Sequence, residues 1–369
     1  MRTLKIDRSK HLCEDPLCGH NRWHPDIEPR FEVNEGEEIG IETRDSMDGY
    51  LTPSSTVADF PQVPAAIVHP LTGPIRVKGA APGDLLEVEF LDILPVRWGF
   101  SCVIPGLGFL TDVMRTPFLA HWDIDGDWAT SMQIPGVRVP GAPFMGISGV
   151  APSPAQVDAW TRREAALATR GGLALPPEVR DAVPASGAAA RAGLRTIPPR
   201  ENGGNMDVKQ LTRGARLFLP VAVEGALFST GDAHFCQGDG EVCLTAVEMS
   251  ATAVLRFKVH KGEALRRRIR WPFFSRTSYF MDPRWAAPER FVATMGMPVD
   301  ENDTNYAGDL NVATRNALLQ MIDLLQERGY TREQAYVICS VAVDLRISNV
   351  VDVPNYIVTA MLPEDIFHP

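Results

Sequence analysis

Ser229-Thr230-Gly231-Asp232-Ala233-His234-Phe235-Cys236-Gln237-Gly238-Asp239-Gly240-Glu241-Val242 gathers more possible ligands, acids and turn glycines than any other stretch of the chain. Asp232 and His234 are two residues apart, as are Asp239 and Glu241, so on extended backbone each pair projects from one face. Gly238 and Gly240 predict a turn or a close approach of backbone. A polar hairpin tip accounts for the same pattern. The flanking runs weigh against a mobile tail: Leu217 to Val223 reads as a strand with Pro220 at an edge or bulge, Glu241 to Met249 as a second and Val254 to Val259 as a third.

Outward from there, Phe31-Glu32-Val33 and Glu38 to Glu42 flank Asn34-Glu35-Gly36 as a hairpin would, and Leu86, Val88 and Phe90 alternate with polar neighbours after a Pro-Gly-Asp turn. Ser153-Pro154 opens a helix with Val157, Trp160 and Leu167 as apolar contacts, closed by Gly171-Gly172. An Ala- and Pro-rich excursion covers 173 to 199. Near the C-terminus Leu318, Met321, Ile322 and Leu325 follow helical spacing, and Thr331 with Gln334 makes a capping box for a second helix. The expectation is an α+β, β-rich fold, with sandwich- or barrel-like sheets and a helical C-terminal portion. In sequence it divides into 1–150, a helix and excursion over 151–200, and a second β-rich region over 201–369.

The 369 residues carry a net charge of −10, which argues against a nucleic-acid surface. The one basic knot, Arg266-Arg267-Arg268-Ile269-Arg270, reads as a solvated strand or an inter-subunit contact. Six scattered cysteines fit a reducing compartment, and no apolar run is long enough to span a bilayer, so a cytoplasmic, membrane-free protein is expected. In Gly19-His20-Asn21-Arg22-Trp23-His24-Pro25-Asp26 two histidines and a tryptophan crowd a Pro-limited loop, where His20 and His24 could bind metal or line a pocket. His69, in Val68-His69-Pro70, is a weaker candidate. Two carboxylates, Asp45 and Asp48, follow a strand end.

These residues together resemble the acetamidase/formamidase family of amide hydrolases. The loop Gly19 to Ile27, Thr72-Gly73-Pro74, Gly79 to Asp84, Asn202-Gly203-Gly204-Asn205-Met206-Asp207, Gly231-Asp232-Ala233-His234 and Gln237 to Glu241 carry the match, and Asp344 to Ser348 and Val351 to Asn355 extend it almost to the end. The resemblance implies hydrolysis of a short aliphatic amide, of formamide or acetamide class, to carboxylate and ammonia by a homo-oligomer. Features of both branches are mixed, so the preferred amide is left open.

An amide needs a nucleophile, polarisation of its oxygen and a proton for its nitrogen. A divalent metal supplies the first two, and His20, Asp45, Asp232 and His234 are nitrogen and oxygen donors suited to zinc or a similar ion. Glu241 or Glu248 would carry the proton, Asn205 and Gln237 would hydrogen-bond the amide or its oxyanion, and Trp23, His24 and Asp239 would contact substrate. Two alternatives stay open. One is a thiol nucleophile, Cys236 or Cys243. The other is a noncatalytic β-sandwich that binds a small ligand on Trp23, Trp98 and Trp122.

Overall fold

The computed structural model describes residues 1–278 and 288–368. Among them, six strands form one sheet in the order Arg2–Leu4, Glu38–Thr43, Ala251–His260, Leu85–Pro95, Arg216–Pro220 and Phe273–Ser275. A larger sheet runs Arg138–Pro140, Trp128–Thr130, Phe118–Asp125, Trp98–Val103, Glu248–Met249, Phe228–His234, Phe144–Gly149 and Gly203–Asn205, with Leu71–Val77 branching from Phe228–His234. Both sheets feed one core, where Phe257 of the first meets Phe228 of the second edge to face at 5.2 Å. Each sheet draws strands from both sides of 151–200, so the two β-rich regions interleave.

The expected hairpin at Asn34-Glu35-Gly36 is a crossing between sheets. Phe31–Val33 pairs in parallel with Ile75–Val77, whereas Glu38–Thr43 pairs with Ala251–Arg256. Both strands exist, but each buries its apolar side chains better against a partner distant in sequence than against the other. The stretch expected as a strand from Glu241 is mostly turn, and only Glu248–Met249 is extended. Positive φ at Glu241 (45°) and Leu244 (100°) breaks the alternation there. The basic knot is likewise no strand: Glu263–Arg267 is a short helix, with Arg266 on Glu263 and Arg270 on Glu201.

The helices follow their signals. Pro154–Ala168 starts at a Ser153–Gln156 capping box and buries Val157 and Trp160, while Leu167 stays exposed. Leu310–Glu327 buries Leu318, Met321, Ile322 and Leu325 against a three-stranded sheet of Phe291–Gly296, Ile357–Pro363 and Asp344–Asn349. Each such side chain contributes about 1.5–3 kcal/mol on burial. Arg332–Ala342 follows from the Thr331–Gln334 box. The excursion is tied down by the N-terminal loop: buried Arg22 donates to the carbonyls of Glu178 and Arg180, and Asn21 pairs with Asp181 and Val183.

Asp84, the end of the Pro-Gly-Asp turn, accepts from the backbone N–H of Ala81 and Gly262 at 2.8 and 2.7 Å and from Lys261. Burial alone would raise its pKa, but these donors outweigh burial and lower it. A depressed folded pKa gives stability that is present above the unfolded carboxylate pKa and fades as pH falls through the folded value. Asp84→Ala is therefore expected to destabilise by about 1–3 kcal/mol in urea unfolding at pH 7, with a smaller difference from wild type at pH 3.

Candidate active site

Phe228–His234 is buried over its whole length and has Phe144–Gly149 along one edge. Along its other edge the partner changes. Phe228, Thr230 and Gly231 pair with Leu71–Val77, whereas Ala233 and His234 pair with Glu248–Met249. The change falls at Asp232, whose φ is +55°. A left-handed residue at a branch in a sheet turns its side chain into the gap between partners, and such strain gathers at functional sites.

Into that gap converge five titratable side chains. His234 Nε2 lies 3.2 Å from Glu248 Oε1, 3.4 Å from Asp232 Oδ1 and 3.9 Å from Glu241 Oε1. Asp232, His234 and Glu248 form one group of potential ligands, and Asp207, His234 and Glu241 a second sharing the imidazole. Gly146 makes the room: a Cβ there would stand 2.6 Å from Asp207 Oδ1 and 2.9 Å from Asp232 Oδ2.

The charges do not balance. Burial and the Asp232 carboxylate push Asp207 up to about 8. Burial and Asp207 push Glu241 well above the carboxylate range. Burial opposes charge on His234, yet Glu248 and Asp232 outweigh it and raise its pKa well above the ordinary value. Asp232, for which burial is outweighed by His69 and His234, is lowered. Four carboxylates around one imidazole lack positive charge, and Asp207 Oδ1, Asp232 Oδ1, His234 Nε2 and Glu248 Oε2 are all buried without a hydrogen-bond partner. A divalent cation fits both facts. Nitrogen and oxygen donors about 2.0–2.2 Å from a tetrahedral ion stand about 3.3–3.6 Å apart, close to the separations around His234 Nε2.

Gln237 sets the imidazole tautomer. Its Nε2 donates to the Asp207 carbonyl at 2.8 Å, so its Oε1 faces His234 Nδ1 at 3.0 Å and accepts from it. The proton is held on Nδ1, and Nε2 is left to the cluster. Gln237 thus has both ends engaged, whereas the Asn205 Oδ1 is buried and unpartnered two residues from Asp207.

Of the expected site residues, the structure brings together Asp232, His234, Glu241, Glu248 and Gln237. Others stand apart. His20 bonds Ser229 Oγ at 2.7 Å, and burial lowers it to about 4. Asp45, raised to about 6 by burial against the pull of the Gly49 and Met47 N–H groups, accepts from both. Trp23 packs with Leu71, Ile147 and Trp160, His24 sits beside Asp26, and Asp239 lies 3.7 Å from Lys209, which also bonds Asp344. Asp207, which closes the Asn202 to Asp207 run, joins the cluster although neither spacing nor residue type singles it out in the sequence.

The thiols lie outside the cluster. Burial pushes Cys236 up to about 12 and also raises Cys243, whose Sγ bonds the carbonyls of Cys102 and Thr245. Trp122 is wholly buried with its indole on Ser101, so it is no binding platform.

Comparison with known proteins agrees with this architecture. The chain matches the acetamidase/formamidase family over residues 5–369. It belongs to that family. It is 41% identical to the acetamidase of Mycolicibacterium smegmatis, over 91% of this chain and 88% of that one. It is 36% identical to the formamidase of Methylophilus methylotrophus, over 100% and 94%. Its fold superposes on a gamma lactamase from Delftia acidovorans with a TM-score of 0.94 and 38% identity, covering 100% of this chain and 94% of that one. The protein is an amidohydrolase with a β-rich fold.

Gly146→Ala tests the crowding directly. The added methyl meets the Asp207 and Asp232 carboxylates and, at 2.9 Å, the Asp232 backbone carbonyl, so both side chain and strand shift and turnover is expected to fall about 100-fold while the fold, followed by circular dichroism, persists.

Proposed function

We propose that this enzyme hydrolyses a short linear amide to carboxylate and ammonia with a divalent cation, zinc by donor chemistry, held by Asp232, His234 and Glu248, with Asp207 beside them. The supporting observation is the convergence of buried, unpartnered donor atoms on one point. The substrate class rests on the relatives named acetamidase and formamidase. A bound divalent ion polarises a carbonyl and lowers the pKa of a water to about 7.

The chain's own residues do the rest. Glu241 is half-buried, so water reaches it, and its raised pKa suits a group that takes a proton from water and returns it to the departing nitrogen. Glu248 is almost fully buried and accepts from the Ala246 N–H, which favours a ligand role over proton transfer. Gln237 holds His234 in its ligand tautomer, and Asn205 Oδ1 is free to accept from the substrate. The same reading takes the enzyme as a cytoplasmic homo-oligomer. It is supported by six free cysteines and by exposed Phe291, Met295, Ile347, Val351 and Val353 at the C-terminal three-stranded sheet. Among the described residues no helix is long and apolar enough to cross a membrane.

Purified protein should contain stoichiometric zinc and release ammonia from formamide, acetamide or propionamide, with ring opening of a γ-lactam to its amino acid, which releases no ammonia, as a fourth arm followed by chromatography. His234→Ala should lose metal and turnover together; active protein without metal, indifferent to chelators, would overturn the reading. Because Asp207, Glu241 and His234 hold protons in the absence of a cation, binding should release protons and tighten as pH rises, as calorimetry in buffers of different ionisation enthalpy reads out.

Glu241→Gln separates proton transfer from ligation. Retained zinc with kcat lowered about 10²- to 10⁴-fold supports the proton role, and lost zinc makes Glu241 a ligand.

A further inference from the structure

His69 stands beside the cluster without a hydrogen bond from its ring to any of it. Its Nε2 is 4.0 Å from Asp232 Oδ2, too far for a hydrogen bond, and its Nδ1 is buried without a partner. Among the described residues neither ring nitrogen is hydrogen-bonded. The backbone around the ring is nonetheless fixed: the His69 N–H donates to Thr196 Oγ1 at 2.6 Å, and that hydroxyl donates to the His69 carbonyl at 3.2 Å. Thr196 lies in the Ala- and Pro-rich excursion, which thereby places His69.

Exposure marks the open side. The side chains of His234, Glu248 and Asp232 are 1%, 2% and 4% exposed, whereas those of Glu241 and His69 are 17% and 12% exposed. Glu241 and His69, with partly exposed Asp207, are therefore the side from which a small molecule would approach the cluster. The ring's proton distribution follows from cost. Among the described residues no acceptor stands at Nδ1, whereas a carboxylate stands 4.0 Å from Nε2, so a hydrogen is favoured on Nε2 over Nδ1. With Nδ1 bare, Nε2 carries the hydrogen next to the Asp232 carboxylate, which favours it there. A doubly protonated ring would present the same Nε2 donor.

We propose that His69 is a substrate-contacting residue whose Nε2–H hydrogen-bonds the amide carbonyl oxygen and holds it as negative charge develops. The proposal rests on amide hydrolysis at this cluster. A water oxygen bonds to the carbonyl carbon, the C=O π pair moves onto oxygen, and the water proton passes to Glu241. On collapse that pair re-forms C=O, the C–N bond breaks and nitrogen leaves as ammonia with the returned proton. His69 gives up no proton in this sequence. It supplies a fixed donor to the oxygen that gains charge, and one such donor typically accounts for about 10²- to 10³-fold in kcat.

The test measures zinc content, kcat and KM on the best short amide, and binding of methylphosphonamidate, a tetrahedral anion shaped like the water adduct of acetamide. His69→Ala is expected to keep its zinc, lose about 100-fold in kcat with KM changed less than about threefold, and bind methylphosphonamidate about 100-fold more weakly. His69→Gln, which restores an N–H donor, should recover part of both. Unchanged kcat and probe affinity in zinc-replete His69→Ala overturns the proposal, and so does zinc loss in both variants, which would make His69 a support of the ligands. ¹⁵N spectra of wild-type imidazoles need no substitution: a hydrogen on Nδ1 alone for His69 also overturns it. Wild-type enzyme inactive on every short amide defeats the underlying reading and this proposal together, whereas an active wild type with an unaffected His69→Ala defeats only this one.

Discussion

Four carboxylates are held around a single imidazole nitrogen, and the rest of the site is arranged to keep them there. Carboxylates whose oxygens lie within 4.8 Å of one another in a buried setting repel by several kcal/mol each, so the cluster persists only if protons or a cation neutralise it. The protein alone resolves the conflict with protons, which is why Asp207, Glu241 and His234 are all raised while Asp232 is lowered. Every device nearby makes sense as resistance to collapse. Gly146 withholds a methyl that would push two carboxylates away, the left-handed backbone at Asp232 aims its side chain, and Gln237 stops His234 from turning.

That constraint also explains the sheet. A continuous strand pairing along Phe228–His234 would place a neighbour's backbone where the carboxylates converge. Changing partner at Asp232, from Leu71–Val77 to Glu248–Met249, opens the gap and delivers Glu248 and His69 to its two sides. The C-terminal helices serve the same end at a distance. Gly238 donates to the Ser340 carbonyl and Asp239 to the Asp344 carboxylate, which anchors the turn that carries Gln237 and Glu241.

How legible was this in the chain? The helices were, because capping boxes at Ser153 and Thr331 and the apolar stripe from Leu318 to Leu325 are local signals. Asp232 and His234 were legible as a pair, through two-residue spacing, even though φ at Asp232 departs from a regular strand. The pairing of Asp239 with Glu241 rested on the same spacing, and there it pointed elsewhere, since the positive φ at Glu241 sends that carboxylate to His234 while Asp239 goes to Lys209. Single-residue backbone reversals of this kind leave no periodicity to read. Strand partners were equally hidden: which sheet Glu38–Thr43 joins depends on residues more than two hundred positions away.

His20 and Asp45 show why residue type alone misleads in a site built of histidine and carboxylate. Both are buried, both are chemically able to ligate, and both lie on elements next to the cluster. What separates them from His234 and Asp207 is whether unpartnered polar atoms gather at one place. Asp45 accepts from two backbone N–H groups, and His20 spends Nε2 on Ser229 and leaves a lone Nδ1 unpartnered, whereas Asp207 Oδ1, Asp232 Oδ1, His234 Nε2 and Glu248 Oε2 are unpartnered together in one cluster. Burying an unsatisfied polar atom costs about 1–3 kcal/mol, more for a charged one, and a fold does not keep four such atoms at one point unless something outside the chain repays them. The unsatisfied atoms, more than the residue types, therefore mark where this enzyme expects its ion and its substrate.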